Sequence, residues 1–355
     1  MRGRWAMLMT DSRKGDYVMK AAVYLGKEHL EVREVPLPTP GPNEVRVRVA
    51  YCGICGTDVH IYHGDGGAAD VTPPLIPGHE FSGIIDAVGE NVTKLKVGDA
   101  VSVNPNDMCG ECWYCHNGME HFCEHFTGIG TTANGGFAEY CVASESTVYP
   151  VGDLDLLTAA MAEPLSCCVH GIDLCGIRPG DQVMVIGTGP IGLIMLQLAK
   201  RSGATVIATA RSAHKRELAL SLGADLVIDP NAEDVPAVLA ERGIRLKCVI
   251  ECVGSPATIA QAIDWAGKGA TVMLFGLTGP DAEITVKPDV IFKKELHITS
   301  SFINPYTYSR AIELLRTGAV DVTTMIRNVI PLEELEGALA SDTLRKQGKV
   351  LVKLS

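Results

Sequence analysis

No apolar run in this chain approaches the roughly 18 residues that a membrane-spanning helix needs. The first 18 residues carry basic side chains but no apolar core and no small-residue cleavage site, so a secretory leader is not expected. Cations are in deficit, 31 Lys and Arg against 42 Asp and Glu, for a formal net charge of -11. That excludes a general binder of nucleic acid or anionic membrane, while leaving room for a local basic site. Internal repeats and low-complexity segments are absent, and the 37 glycines follow no collagen period. What is present is ordinary for a folded protein: 355 residues, 46% apolar and 21% charged. This excludes wholesale disorder and suits about two domains. Without a leader, the 12 cysteines are expected to be reduced thiols in a cytoplasmic setting, with clustered ones candidates for metal.

The chain changes character near Met161. Residues 19–150 read as strands and tight turns: Met19 opens an apolar run, Val45 to Val49 alternates like a half-buried strand, and Pro36, Pro38, Pro40 and Pro42 mark a loop before it. From Asp181 short apolar strands alternate with helices. Strands are expected at Gln182–Ile186, Thr205–Ala208, Leu226–Ile228, Cys248–Ile250 and Thr271–Phe275, with helices at Gly192–Arg201 and Lys215–Leu222. Alternating β and α elements predict an α/β fold with a doubly wound parallel sheet. The tail is read as a helix over Ser309–Thr317, then short strands at Val322-Thr323 and Lys349–Val352.

Three constellations carry chemistry. Cys109-x2-Cys112-x2-Cys115-x7-Cys123 brings four thiols within 15 residues, a spacing that closes a tetrahedral zinc site with no open position; two disulfides or four idle thiols are the alternatives. Cys52-Gly53-Ile54-Cys55-Gly56-Thr57-Asp58-Val59-His60 and Pro77-Gly78-His79-Glu80 place Cys, His and Glu in two glycine-rich turns. A catalytic zinc takes about three protein ligands and leaves one place for water or substrate, with Asp58 and Glu80 as candidate outer partners. Against this stand a plain buried His79, and a redox pair or core thiols at Cys52 and Cys55. Gly187-Thr188-Gly189-Pro190-Ile191-Gly192 follows a strand and opens a helix, the context in which backbone amides cradle a pyrophosphate. A cofactor with a free ribose 2′-hydroxyl is usually held by an acid about 20 residues further on. Here Ala210-Arg211-Ser212 stands there, with Lys215 and Arg216 beyond. This composition suits a 2′-phosphate, hence NADP over NAD; a solvated basic helix start is the alternative.

With these residues in view, the chain resembles a zinc-containing medium-chain dehydrogenase/reductase over residues 19–355. The most specific match is Gly78-His79-Glu80-x2-Gly83-x5-Gly89-x2-Val92, and Ala162-Glu163-Pro164-Leu165-Ser166 is similar to the polyol branch. Residues 1–18 read as a loose extension or a start-site choice upstream of the folded unit, and the resemblance implies a GroES-like β-rich catalytic domain at 19–163, with the zinc lobe at 109–123. It then implies a Rossmann domain at 164–302 and a return to the first domain at 303–355. Cys55 and His79 match catalytic-zinc ligands, Glu80 and Glu163 match the carboxylates that complete or support that site, and Thr57 and His60 match a proton relay. The implied activity is interconversion of a secondary alcohol, a free or phosphorylated polyol, and its ketone, in a homodimer or homotetramer. Dehydrogenases of threonine, butanediol or bulkier alcohols, and a non-catalytic cofactor-binding relative, are the alternatives. Ile303-Asn304 replaces the Arg-Tyr that follows the matching phenylalanine in sorbitol dehydrogenases, which directs the expectation away from sorbitol to a different alcohol, less polar or phosphorylated.

Overall fold

The computed structural model describes residues 17–65 and 71–355. The expected extension lies outside the described residues up to position 16, and the first strand begins at Val18. Two compact units are present: residues up to Glu163 with Ile326–Ser355, and Pro164–Met325.

The first unit is built on a seven-stranded sheet. Its order runs Ile326–Pro331, Lys349–Lys353, Glu44–Gly53, Glu80–Val88, Ala100–Val103 and Val148–Pro150, with Tyr140–Ser144 also paired to Glu44–Gly53. Val45, Val47 and Val49 are fully buried, while Arg46 and Arg48 between them are not. Alternation in the sequence is thus alternation across the sheet. Val47, Val101, Phe81, Phe137, Ile85 and Val352 share one apolar cluster. The last strand, Lys349–Lys353, lies antiparallel to Tyr51–Gly53, so the chain's end buttresses the turn that precedes Cys55.

In the second unit six strands pair in parallel in the order Leu226–Ile228, Thr205–Thr209, Gln182–Ile186, Cys248–Glu251, Thr271–Leu274 and His297–Ser300. This is the doubly wound arrangement in which the strand order reverses between Gln182–Ile186 and Cys248–Glu251, and sheets of this kind bind ligands outside the carboxyl ends of the strands at that reversal. Met184, Ile186, Ile207, Val249 and Val272 pack in its core. Near-continuous apolar runs are what such a sheet needs, since helices cover both faces.

Two expectations about the tail are corrected. The return to the first unit comes at Ile326, not at 303, because residues 304–321 are fastened to the second unit. The Asn304 amide donates to Ser166 Oγ (2.7 Å) and Thr307 Oγ1 to the Ser166 carbonyl (2.8 Å). The Gln197 side chain donates to the Asp321 carbonyl (2.9 Å) and accepts from its N–H (2.8 Å). The strand read at Val322-Thr323 is instead at Ile326–Pro331, parallel to Lys349–Lys353, and Thr323–Met325 is a short 3-10 turn. Replacing Gln197 by Ala leaves both backbone groups of Asp321 without their partner. It is expected to cost about 1–3 kcal/mol, read as a lower urea midpoint with unchanged slope.

Candidate active site

Cys55 sits where the strand Glu44–Gly53 hands over to the helix Gly56–His63. Its backbone N–H donates to Asp58 Oδ2 at 2.8 Å, which satisfies one orphan donor of the helix start. The same carboxylate then reaches across to the second turn: Asp58 Oδ1 stands 3.4 Å from His79 Nδ1, an ion-pair distance, and neither atom has a hydrogen bond. Gly78 lets the second turn come this close. Its φ is +94°, and a Cβ there would meet Cys52 Sγ and the Phe137 ring at 2.8 Å, so only glycine fits.

The ligand atoms of Cys55, His79 and Glu80 all lie within 4.8 Å of one another. Sulfur, nitrogen and oxygen donors at this separation are a set that a zinc ion can gather, since it binds all three types at about 2.0–2.3 Å. The surroundings favour a cation. Asp58, Glu80 and Glu163 are buried carboxylates, and one lysine, Lys349, is buried with them. Burial opposes charge on His79, but the Asp58 and Cys55 charges beside it outweigh burial and hold its pKa well above the ordinary histidine value. Groups that favour an imidazolium favour a metal cation for the same Coulombic reason. Cys52 is different: it lies in the apolar core with Phe81 and Phe137, and burial pushes its thiol well up. The Cys52–Cys55 redox pair is therefore set aside, for Cys52 is held as a neutral core thiol.

Glu163 does not join the mutually close trio. It is buried, and its charge helps keep Lys349 protonated. Lys349 itself was not singled out in the sequence. Its Nζ donates to the Ile54 carbonyl at 3.0 Å and to Glu80 Oε2. Burial opposes its charge, but Glu80, Cys55 and Glu163 overcome that and raise its pKa. The available signal was a lysine opening the apolar run Lys349-Val350-Leu351-Val352, on a position whose neighbours are all core.

The four-cysteine lobe also closes. Cys109, Cys112, Cys115 and Cys123 have their sulfurs within 4.8 Å of one another, with Cys109 Sγ 3.5 Å from Cys123 Sγ and 4.0 Å from Cys115 Sγ. Backbone N–H groups of Glu111 and Cys112 point at Cys109 Sγ, and those of Cys109 and His125 at Cys123 Sγ, at 3.3–3.4 Å. Such donors stabilise thiolates. The Cys112 thiol is held down to about 6 by the backbone donors of Cys115 and Glu124. Burial and the neighbouring thiols push Cys115 up to about 12. One thiolate thus forms at the expense of the next, and a divalent cation is what allows all four to ionise together.

In the second unit the glycine-rich loop stands at the strand-order reversal. Gly187 has φ +94° and faces Val253, and Gly189 caps the helix Pro190–Arg201. The Thr188 hydroxyl is buried without a hydrogen-bond partner. Ile191 is half-buried, and Gly192 packs against the Gly187 carbonyl with no room for a side chain. The loop after Cys248–Glu251 is shaped by Glu251, a fully buried carboxylate accepting from Val253 N (2.8 Å) and Gly254 N (3.0 Å); the sequence reading missed it. At the end of Thr205–Thr209, Ala210 is buried, whereas Arg211 and Ser212 are exposed at the start of the helix Ala213–Ser221. Lys215 is half-buried, and burial together with the nearby Arg211 charge lowers its pKa. Arg216, expected among the cofactor contacts, donates to the Ala210 and Arg211 carbonyls and to Asp229.

A β-rich unit with a Cys–His–Glu cluster and a four-thiol lobe, joined to a doubly wound nucleotide-binding sheet, defines a metal- and dinucleotide-dependent dehydrogenase. Comparison with known proteins agrees. Residues 41–153 match the alcohol dehydrogenase GroES-like domain and residues 190–317 the zinc-binding dehydrogenase domain. The chain is 34% identical to D-arabinitol dehydrogenase 1 of Uromyces fabae, over 94% of this chain and 97% of that one. It is 35% identical to D-arabitol-phosphate dehydrogenase of Enterococcus avium, over 92% and 94%. A zinc-binding dehydrogenase from Sinorhizobium meliloti 1021 solved with NADP superposes with a TM-score of 0.91 at 38% identity, covering 95% of this chain and 99% of that one. The chain belongs to the zinc-containing medium-chain alcohol dehydrogenase superfamily and is an enzyme of that group, acting on a small alcohol or ketone with a nicotinamide cofactor. No helix among the described residues is long and apolar enough to cross a membrane.

Lys349→Met is expected to leave Glu80 as an unpaired buried charge and to lower stability by about 3–5 kcal/mol. Adding Glu80→Gln should recover a large part of that loss. Urea denaturation of the single and double variants checks the coupling; additive losses would mean the pair contributes nothing jointly.

Proposed function

We propose that this enzyme is a zinc-dependent, NADP(H)-preferring dehydrogenase that interconverts a secondary alcohol of a free or phosphorylated polyol and the corresponding ketone. The observation that carries the reading is the Cys55, His79 and Glu80 donor set within 4.8 Å, in a buried setting richer in carboxylates than in lysine. Cys55 and His79 hold the catalytic ion, with Glu80 or Glu163 as the carboxylate that completes or supports the site; Cys109, Cys112, Cys115 and Cys123 hold a second, structural zinc. When bound, the catalytic zinc supplies Lewis acidity to the substrate hydroxyl and the nicotinamide supplies the hydride acceptor.

The chain's own residues do the rest. Asp58 fixes the His79 ring through Nδ1, leaving Nε2 as the nitrogen for the metal. Lys349 restrains Glu80. Thr57 and His60 follow Cys55 on the same helix, and both are half-buried. Thr57 Oγ1 takes the substrate's hydroxyl proton as it releases its own toward His60, which passes a proton outward; His60 Nδ1 is 3.7 Å from Asp65, which faces solvent. In the cofactor unit Gly187, Thr188, Gly189, Pro190, Ile191 and Gly192 present the pyrophosphate cradle. Ala210 removes the acid that would repel a 2′-phosphate, and Arg211, Ser212 and Lys215 supply charge and donors for it.

The NADP held by the Sinorhizobium relative supports the cofactor choice, and the arabitol and arabitol-phosphate relatives support the substrate class. The enzyme is also read as a homo-oligomer: His297–Ser300 is an edge strand of its sheet, and Ile298 on it and Phe292 on the preceding helix are exposed, which favours self-association. None of the 12 cysteines is in a disulfide, which supports a reducing, cytoplasmic setting.

The two zinc sites should differ in lability. Dialysis against a mild chelator is expected to abolish turnover while one zinc per chain and the far-UV spectrum persist. Cys112→Ser should lower thermal stability more than kcat, because metal binding there is folding energy. Metal analysis finding no zinc in the Cys109–Cys123 lobe would overturn the assignment. For the cofactor, Arg211→Ala should raise KM for NADP about 10- to 100-fold, the worth of one charge-assisted contact, with a smaller effect on NAD. A wild-type enzyme with higher kcat/KM for NAD than for NADP would sink the NADP reading.

A further inference from the structure

We infer that Arg216 and Asp229 are positioning residues for cofactor choice: their clamp fixes the Ala210–Ser212 turn in the orientation that receives the 2′-phosphate, and neither side chain touches the cofactor. The inference rests on the NADP reading above.

Arg216 Nη1 donates to three acceptors: the Ala210 carbonyl (3.1 Å), the Arg211 carbonyl (3.0 Å) and Asp229 Oδ2 (2.7 Å). Asp229 is itself anchored. It directly follows the neighbouring strand Leu226–Ile228, its N–H donates to Glu233 Oε2 (2.9 Å), and its Oδ1 accepts from Asn231 N (3.0 Å). The Ala210 N–H in turn donates to the Ile228 carbonyl at 3.0 Å. The turn is therefore held at both carbonyls from one side. In a planar trans peptide the following N–H points opposite to the carbonyl, so the Arg211 and Ser212 N–H groups face away from Arg216. Neither has a hydrogen-bond partner among the described residues. The Arg211 side chain projects from the same turn.

The charges sort in the same way. Asp229 neutralises Arg216, a charge-assisted pair whose two side chains are 29% and 17% exposed. Arg211 and Lys215 lie close enough to repel each other, and no carboxylate pairs with either among the described residues. Two unneutralised cations and two outward N–H donors are left for the phosphate, while the third cation is spent on holding them in place.

This assignment predicts a sign. If Arg216 were a phosphate ligand restrained by Asp229, removing the restraint in Asp229→Asn would free a cation and strengthen NADP binding. If the pair is a clamp, the same isosteric change loosens the turn and weakens it, although local positive charge increases. The experiment is kcat/KM for NADP and for NAD with the full-length enzyme and one working alcohol. It is paired with calorimetric affinities for adenosine 2′,5′-bisphosphate and for AMP. Asp229→Asn is expected to lower the NADP-over-NAD ratio about five- to tenfold and to weaken the bisphosphate by a similar factor, with AMP and NAD little changed. Arg216→Gln should lower the ratio at least as much, and Arg216→Lys should restore part of it. A tighter bisphosphate complex in Asp229→Asn, or equal losses for both cofactors, would overturn the clamp; should Arg216→Gln not fold, the Asp229→Asn sign still decides. A wild-type preference for NAD removes the NADP reading itself, and is distinguished from failure of the clamp because it appears before any substitution is made.

Discussion

The buried ion pair between Glu80 and Lys349 is the constraint on which the catalytic unit depends. Taking a carboxylate and an ammonium out of water costs several kcal/mol each, and their attraction offsets this only when the geometry is tight and the remaining donors are satisfied. Here a second acceptor for Lys349, the Ile54 carbonyl, supplies part of that satisfaction. The two residues stand 269 positions apart in the chain. One directly follows His79 in the sequence; the other begins the final strand. Their meeting requires that strand to lie beside Tyr51–Gly53, and so ties the C-terminal segment to the turn bearing Cys55.

Electrostatic incompleteness runs through both units with opposite sign. The catalytic unit gathers three buried carboxylates around one lysine and one histidine, an arrangement that a divalent cation completes. The nucleotide-binding unit leaves Arg211 and Lys215 facing each other without an acid, which a phosphate completes. In each case the surrounding pairs are already closed, Asp58 on Cys55 N and Asp229 on Arg216. What is left uncompensated is therefore specific in place and in sign. A net charge of -11 does not reveal either local balance.

Local spacing made much of this legible in the sequence. The four thiols of the lobe lie within 15 residues, and the glycine-rich loop spans six consecutive positions. Loop closure over such short distances is nearly forced once the elements form, so the composition of the segment states its geometry. The alternation of apolar strands and helices likewise specified a parallel, doubly wound sheet, because only a strand covered on both faces can be apolar at every position. The same patterning set Ala210 at the end of the second strand, and with it the absence of the customary acid.

The partners of those residues were decided by the tertiary structure. Nothing near Lys349 in the sequence points to Glu80, nothing near Arg216 distinguishes a phosphate ligand from a bracket closed by Asp229, and the return of the chain at Ile326 follows from a Gln197–Asp321 contact 124 residues apart. A side chain's donors go to whichever acceptors the packed chain brings within about 3 Å, and that proximity is a property of the sheet order, not of the local sequence. The sequence by itself determined which chemical groups are present, in which short motifs, and on which kind of element; the fold determined which of their charges are cancelled and which are left for a ligand, because cancellation depends on distances between residues that are far apart along the chain.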